Sequence, residues 1–471
     1  MSALSVQRKQ TVETTQLHQR KMVLDSAEYL STSDLKNQMM PLKILICGAG
    51  ITGNALAFWL SKIGHKITVI EHFPDLRATG LQLDLRGPGI QVLRKMGLEE
   101  TFRRSTVKEQ GMKLVDKKGR SWGYFSANRS GEGLQSLTTD FEIMRGDLCR
   151  LLYDATKVHV TYKFGMHAIS IEQNTYFAEV TFSNGAQERF DIVIGADGQG
   201  SRTRKMMLDS EVTDGTLRAD PFQTLGAFAG YFTVQEDIRK DEGYDATMYM
   251  TTKSRGIMTR RHDPHKYQAY LFCSTDSSER LKSSKKGDII KEKEGFKEVF
   301  HGTGWRSEEI LKALETSDDF YCERIGVIVL DHWSPGRIAL VGDAAYCPSV
   351  MTGMGTSCGM TGAYVLAGEI ARHYGNQSKA GTESNAITAA FNSYERKLRP
   401  LMTQVQKGLT NNPRYMESLP SSEWGVGMVY VLFWFASLLR LDVLARWVLR
   451  EDTNGWKLPE YPEMVDEKRL E

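Results

Sequence analysis

The chain has 471 residues, 41% of them apolar and 25% charged, with a formal net charge of +2. That length allows two or three domains with real cores. The composition excludes wholesale disorder, and the near-neutral charge excludes a large basic field that would make nucleic acid the main partner. Six cysteines, at 47, 149, 273, 322, 347 and 358, form no CxxC pair. A disulfide framework is thereby excluded, and a reducing, cytoplasmic setting fits. His262 and His265 are the one close histidine pair, with Pro264 between them, so no metal-ligand spacing is present.

Residues 1–40 are polar and carry no apolar segment of the kind a signal peptide needs. They read as a mobile extension, and Glu13, Asp25, Glu28 and Asp34 count against a transit peptide. The stretch KILICGAGITGNALAFWLSKIGHKITVIE, Lys43 to Glu71, then spells strand, turn, helix, strand and acid. Gly48, Gly50 and Gly53 form GxGxxG. The first allows a tight turn, the second lets the backbone approach a pyrophosphate, and the third lets the helix pack on the strand. The helix N-terminus offers unpaired N–H groups to the phosphates, and Glu71 sits where an acid grips the adenosine ribose.

GLQLDLRGPGIQVLRKMGL (80–98) reads as an extended half followed by a helix that stops near Gly97. FEIMRGDLCRLLYDAT (141–156) is a strand end running into a helix. Alternating runs follow, with Asn184-Gly185 marking a tight hairpin between two of them. FDIVIGADGQGSRTR (190–204) is a buried strand ending in Gly-Ala-Asp-Gly; Asp197 there is either a helix cap or a ligand-facing acid. From about 216 to 319 the texture becomes antiparallel and rich in Tyr and Phe, with a charged helical stretch over 279–317. GRIALVGDAAYCPSVMTGMGTSCGMTGAYVLAGEI (336–370) returns to a buried parallel strand, a glycine-rich loop and a helix; beyond about 385 the chain reads as helical. The fold class expected is α/β: a Rossmann-like domain over 41–110, 137–215 and 320–375, an inserted mainly antiparallel sheet over 111–136 and 216–319, and C-terminal helices over 385–471.

Order and spacing of these segments resemble the FAD-dependent aromatic hydroxylases of the para-hydroxybenzoate hydroxylase type: GxGxxG first, Asp-Gly in the middle, Gly-Asp late. The resemblance covers about residues 42–375, and GLQLDLRGPG resembles the matching segment of tetracycline-inactivating and fungal secondary-metabolite monooxygenases. It implies a resident FAD. Asp343 would accept from the ribityl hydroxyls, Arg145 of MRGDL would lie near the ribityl-phosphate region, and Asp84 would touch the flavin. Gly355 would open the helix whose positive end favours negative charge on the reduced ring. Arg86 is better read as a solvated or phosphate-facing charge. No second strand–GxGxxG–helix unit occurs, so the resemblance implies NADPH or NADH as a transient hydride donor, then O2, then oxygen insertion into a small molecule. Hydroxylation, epoxidation and Baeyer–Villiger insertion all stay open, as do two rivals: a flavin dehydrogenase or reductase of the same fold, and a non-catalytic flavin-binding adaptor.

Oxygen insertion needs a dry pocket. Tyr231, Tyr249, Met248 and Met250 are the candidates for its substrate face, although alternation sets Tyr249 opposite its two Met neighbours. Core packing is the competing reading for each. Arg260 or Arg261 would assist a phenolic substrate. Cys347 reads as a plain buried thiol rather than a covalent flavin link. WGVGMVYVLFWFASLL (424–439) carries no charge over sixteen residues, short of the roughly twenty a spanning helix needs. It reads either as a helix packed on the protein or as a peripheral membrane contact.

Overall fold

Strands and helices follow the apolar runs. KILIC forms β1 (Lys43–Cys47) and KITVIE forms β2 (Lys66–Glu71), joined by the helix Ile51–Lys62. Then come β3 (Gln82–Asp84), the hairpin of β4 (Gly111–Val115) and β5 (Ser121–Ser126), and β6 (Glu142–Met144), which runs straight into the helix Arg145–Asp154. After β7 (Thr161–Phe164), the strands β8 (Ala168–Gln173), β9 (Ala178–Phe182) and β10 (Gln187–Phe190) form an antiparallel sheet. Its β9–β10 turn holds Asn184-Gly185 with Gly185 at φ +82°. Next are β11 (Ile192–Gly195), the helix Arg202–Ser210, and the long strands β12 (Phe222–Gln235), β13 (Asp245–Thr251), β14 (Arg255–Asp263) and β15 (Lys266–Ser274). The helices Ile289–Phe300 and Ser307–Thr316 precede β16 (Tyr321–Ile328) and β17 (Ile338–Leu340). Three long helices close the chain: Gly355–Gly375, Glu383–Val405 and Glu423–Leu438. This computed structural model describes residues 40–464 apart from 77–79, 128–139, 211–219, 241, 376–382, 411, 413–414, 416–419 and 440–454. The extension expected over 1–40 therefore falls outside the described residues except at its last position, and the run after Leu439 falls outside them until Gly455.

Two sheets carry the architecture. The first is all parallel, ordered β17-β11-β1-β2-β7. Ile44, Leu45 and Ile46 of β1 are fully buried, as a strand covered on both faces requires. The second has seven strands, β16-β12-β15-β14-β13-β4-β5, antiparallel except at β13–β4. Its first strand corrects an expectation: β16 starts at Tyr321 yet pairs with β12, so the sheet reaches past the boundary set at 319. YCERIGVI alternates like the other strands of that sheet, and only the pairing tells which sheet it joins.

The two faces of the second sheet differ. Phe228, Phe232 and Val234 of β12 point to Phe296, Phe300 and Leu314 on the covering helices. Ala227, Ala229 and Tyr231 point the other way, toward Leu81 and Met351 from segments of the nucleotide-binding part. Register lines up Tyr321, Tyr231, Tyr270, Met258 and Met248 as one row across five strands on that second face.

The C-terminal apolar run is a helix with one face docked. Val426 and Tyr430 are buried beside Leu114, and Phe433 meets Phe125 edge-on at 4.8 Å. The Tyr430 hydroxyl donates to the Val115 carbonyl at 2.8 Å, with the Met250 carbonyl at 2.9 Å as the alternative acceptor, and accepts from the Met250 N–H at 3.2 Å. The opposite face leaves Trp424 at 89%, Leu432 at 55% and Leu438 at 63% exposure. No helix among the described residues is long and apolar enough to cross a membrane. Tyr430→Phe should leave the Met250 N–H and a carbonyl at the ends of β13 and β4 without this partner and cost about 1–2 kcal/mol. Faster proteolysis at residues 420–440, with unchanged far-ultraviolet dichroism, is the expected readout.

Candidate functional site

The GxGxxG turn has the geometry its spacing demands. Gly48 sits at φ +109°, and a Cβ on Gly53 would stand 1.9 Å from the Gly48 carbonyl oxygen, so the helix lies directly on the turn. Around Gly50 there is nothing within 4 Å of where a Cβ would be. Gly50 is also the N-cap of the helix Ile51–Lys62 and no side chain caps it, so the first-turn N–H groups face that opening. Glu71 ends β2 and is fastened to the turn: Oε2 accepts from Ala49 N–H at 2.9 Å and Oε1 from Phe73 N–H at 3.1 Å.

One cleft of about 560 Å³ opens beside this turn. Gly48, Gly50, Glu71, Arg145, Asp197 and Asp343 all line it, brought together from four separate stretches of chain. Arg145 comes from the start of its helix, packed against Gly80, where a Cβ would meet its Cδ at 3.0 Å. Asp343 follows Gly342, whose φ of +67° makes the turn out of β17. Burial raises the Asp343 carboxyl above its usual range, and the Arg145 charge opposes that rise. Asp197 has two observed contacts with its surroundings. It lines the cleft, and it caps the helix Arg202–Ser210 by accepting from Thr203 N–H at 3.0 Å and from the Ser201 and Thr203 hydroxyls. In the loop after Asp343, Ser349 stands at φ +71°, ψ +148°, which L-residues rarely adopt and which costs on the order of 1–3 kcal/mol.

Other expected site residues lie elsewhere. Gly53 is packed inside the turn, and Gly355 opens its helix with empty space around it but outside this cleft. Asp84 does not line the cleft either; it is ion-paired to Arg86 at 2.5 Å. Arg86 is 1% exposed, neither solvated nor phosphate-facing, because it belongs to a buried charge cluster. In that cluster Arg260 bonds Glu109 at 2.8 Å and Glu142 at 2.6 Å, and Gln82 donates to both acids. Arg261, one residue on, points to the opposite face, where it bonds the Glu236 and Asp263 carbonyls and the Glu242 carboxylate. Tyr249 also faces that helical layer, beside Trp305, with its hydroxyl on the Thr303 carbonyl. Both are corrections to the substrate-face expectation, and strand alternation is the reason. Met248 and Met250 pack beneath the C-terminal helix with Leu114 and Tyr430. Tyr231 is on the cleft-facing side, buried, and lines a cavity of about 30 Å³ that shares Arg145 and Tyr321 with the large cleft. Cys347 is a buried thiol pushed well up by burial and the Asp343 charge.

Several lining residues had no motif to mark them. His72, His167, Arg202 and Lys286 add positive or protonatable groups, and Glu323 adds an acid beside Asp343. Lys286 arrives from the charged helical excursion of the other sheet, a contact that no local pattern encodes. Removing the Asp197 cap by Asp197→Ala should lower stability by about 1–2 kcal/mol, measured by urea unfolding, with Asp197→Asn retaining most of it.

Residues 41–407 match the family described as FAD binding domain. The FAD-dependent monooxygenase asL4 of Sarocladium schorii is 44% identical over 436 residues, covering 91% of this chain and 100% of that protein. The flavin-dependent monooxygenase eupH of a Phoma species is 40% identical over 417 residues, covering 85% of this chain and 93% of that one. The crystal structure of tetracycline destructase Tet(55) is similar with a TM-score of 0.70 at 27% identity, covering 89% of this chain and 99% of its own.

Proposed function

The chain belongs to the FAD binding domain family and is an FAD-dependent monooxygenase, and from that premise we propose how its own residues serve the reaction. Glu71 holds the adenosine ribose, the open turn at Gly50 receives the pyrophosphate, and Asp197 and Asp343 border the ribityl chain. Arg145 supplies positive charge there. The observation that carries this reading is that six of the nine expected cofactor residues line a single cleft, including an open glycine at an uncapped helix N-terminus. FAD, once bound, supplies hydride acceptance from NADPH or NADH and the activation of O2.

The chain's task is to position and to keep dry. The part of that row not covered by the C-terminal helix, Tyr321, Tyr231, Tyr270 and Met258, gives the second sheet an apolar, aromatic wall, the surface we assign to an aromatic or polyketide- or terpenoid-like substrate of secondary metabolism. The purified protein should be yellow, and candidate aromatic metabolites should stimulate NADPH oxidation together with O2 uptake and a product one oxygen atom heavier. Arg145→Ala should weaken FAD binding about ten-fold, the equivalent of about 1.4 kcal/mol, in a flavin-fluorescence titration. A colourless protein that takes up no added FAD would overturn the assignment.

The exposed face of the helix Glu423–Leu438 supports a peripheral lipid contact: Trp424, Met428, Leu432, Phe435 and Leu438 present aromatic and aliphatic surface with no charge between them. Full-length protein should float with phosphatidylcholine vesicles, and Trp424→Ser combined with Leu432→Ser and Leu438→Ser should stay in the soluble fraction. Equal flotation of the two proteins would remove the lipid contact.

A further inference from the structure

Glu323 stands on β16 two residues from Tyr321, so both side chains share the cleft-facing side of the seven-stranded sheet. It lines the large cleft together with Asp343, Arg145 and Lys286. Its Oε2 accepts a hydrogen bond from the Tyr231 hydroxyl at 3.2 Å. No hydrogen bond reaches Oε1 from the described residues. The Tyr231 ring is itself fixed, stacked near-parallel on Tyr321 at 6.1 Å and edge-on to Tyr270 at 5.4 Å. This half-buried acid is held on one oxygen by a rigid hydroxyl and has the other left over, whereas Glu71 and Asp197 in the same cleft spend both oxygens on a turn and a helix cap.

We propose that Glu323, backed by the Tyr231 hydroxyl, is a proton-exchanging residue of the cofactor cleft: its carboxylate takes one proton from solvent as FAD enters and keeps it on Oε1, from which it donates a hydrogen bond to the bound dinucleotide. The inference rests on the FAD reading above. Burial and the neighbouring Asp343 charge push the Glu323 carboxyl up to about 7, while Tyr231, Lys286 and Arg145 pull it back. An entering pyrophosphate adds negative charge and engages the same cations, so the balance moves further toward the protonated form. The other titratable and charged groups lining this space are His72, His167, Glu71, Asp197, Arg202, Tyr321 and the thiols of Cys47 and Cys149; the Cys347 thiol, which burial pushes well up, lies near Glu323 outside the cleft.

The test is calorimetric titration of FAD into the flavin-free full chain, repeated in buffers of different ionisation enthalpy to count protons taken up. The expected result is about one proton per FAD near pH 8, with FAD affinity falling about ten-fold from about pH 6 to about pH 8, because the ionised acid must first be protonated. Glu323→Gln keeps an oxygen for Tyr231 and should abolish both effects. Tyr231→Phe removes the bond that favours the ionised form and should move the uptake profile to lower pH values only if the proposal is wrong; the expected shift is upward. Uptake that persists in Glu323→Gln would assign the proton to His72 or His167 and overturn the proposal, as would FAD binding by the wild type with no proton uptake. Failure of FAD to bind at all would instead overturn the cofactor reading, so the two failures are distinguishable.

Discussion

The close approach of the helix Ile51–Lys62 to the turn beneath it governs the rest of the cleft. A side chain at Gly53 would collide with the Gly48 carbonyl, and one at Gly48 would come within 2.6 Å of the Ala196 carbonyl oxygen. These are backbone contacts, so no rotamer change relieves them. They bring the ends of β1 and β11 together, and with them Asp197. The Gly48 N–H is also tied to the Ile70 carbonyl at 2.8 Å, which sets the end of β2 and the place of Glu71. One tight junction thus positions an acid on each side of an open helix N-terminus.

The second sheet must be held against this frame, and a buried charge cluster helps to do so. Arg260 comes from β14 of that sheet, Glu142 from β6 and Gln82 from β3 of the short ribbon beside the nucleotide-binding part. Desolvating such charges is costly, and the attraction they regain in the interior offsets that cost only when partners and geometry are complete. Three acids, Asp84, Glu109 and Glu142, face two guanidinium groups, Arg86 and Arg260. Burial raises Glu142 well above the usual carboxyl range, with the Asp84 and Glu109 charges reinforcing it against the pull of Arg260. Asp84 moves the other way: burial pushes it up, but the adjacent Arg86, a hydrogen bond with Glu142 and the Arg260 charge together outweigh that and hold it below its usual range. Glu142 therefore holds the proton and can donate to the Asp84 oxygen that has no other donor. The cluster is balanced by one protonated acid. A cluster of fixed partners favours one seating of the sheet over sliding alternatives, where an apolar contact would tolerate several.

The parts of this arrangement that were legible in the sequence are those written in local chemistry. GxGxxG followed by an acid, MRGDL, GADG and VGDAA each combine a strand end with residues whose backbone freedom or charge has a local use, and Gly48, Gly50, Glu71, Arg145, Asp197 and Asp343 meet in one cleft. What stayed hidden depends on register and on which sheet a strand joins. Arg260 and Arg261 are neighbours in sequence, yet alternation sends one into the ion cluster and the other to backbone carbonyls on the far face. Tyr231 and Tyr249 look alike in composition and part in the same way. Arg86 gave no hint of burial, because its setting depends on distant chain: the Ser357 hydroxyl accepts from the Arg86 backbone N–H at 2.8 Å across a separation of 271 residues.

The placement of polar groups also separates two environments within one space. Along the parallel sheet, the cleft offers amides, carboxylates and cations, each suited to a charged and hydroxyl-rich dinucleotide tail. Across from it, the second sheet offers rings and thioethers in a continuous row, broken on its neighbouring row by Glu323. In that neighbouring row Ala229, Phe272, Gly256 and Met250 are the other members, so the acid is set among apolar side chains of its own sheet and meets charge from Arg145 and Asp343 and from Lys286 of the helical excursion. A carboxyl at such a boundary responds strongly to whatever fills the cleft, because the occupant replaces the water and the cations that would otherwise solvate it. Groups deeper in the row have no proton to exchange in the neutral range: burial raises the Tyr270 hydroxyl to about 12 and Tyr231 well above its ordinary value. The boundary between wet and dry surface is therefore also the line at which proton transfer is available to the chain, and Glu323 marks it.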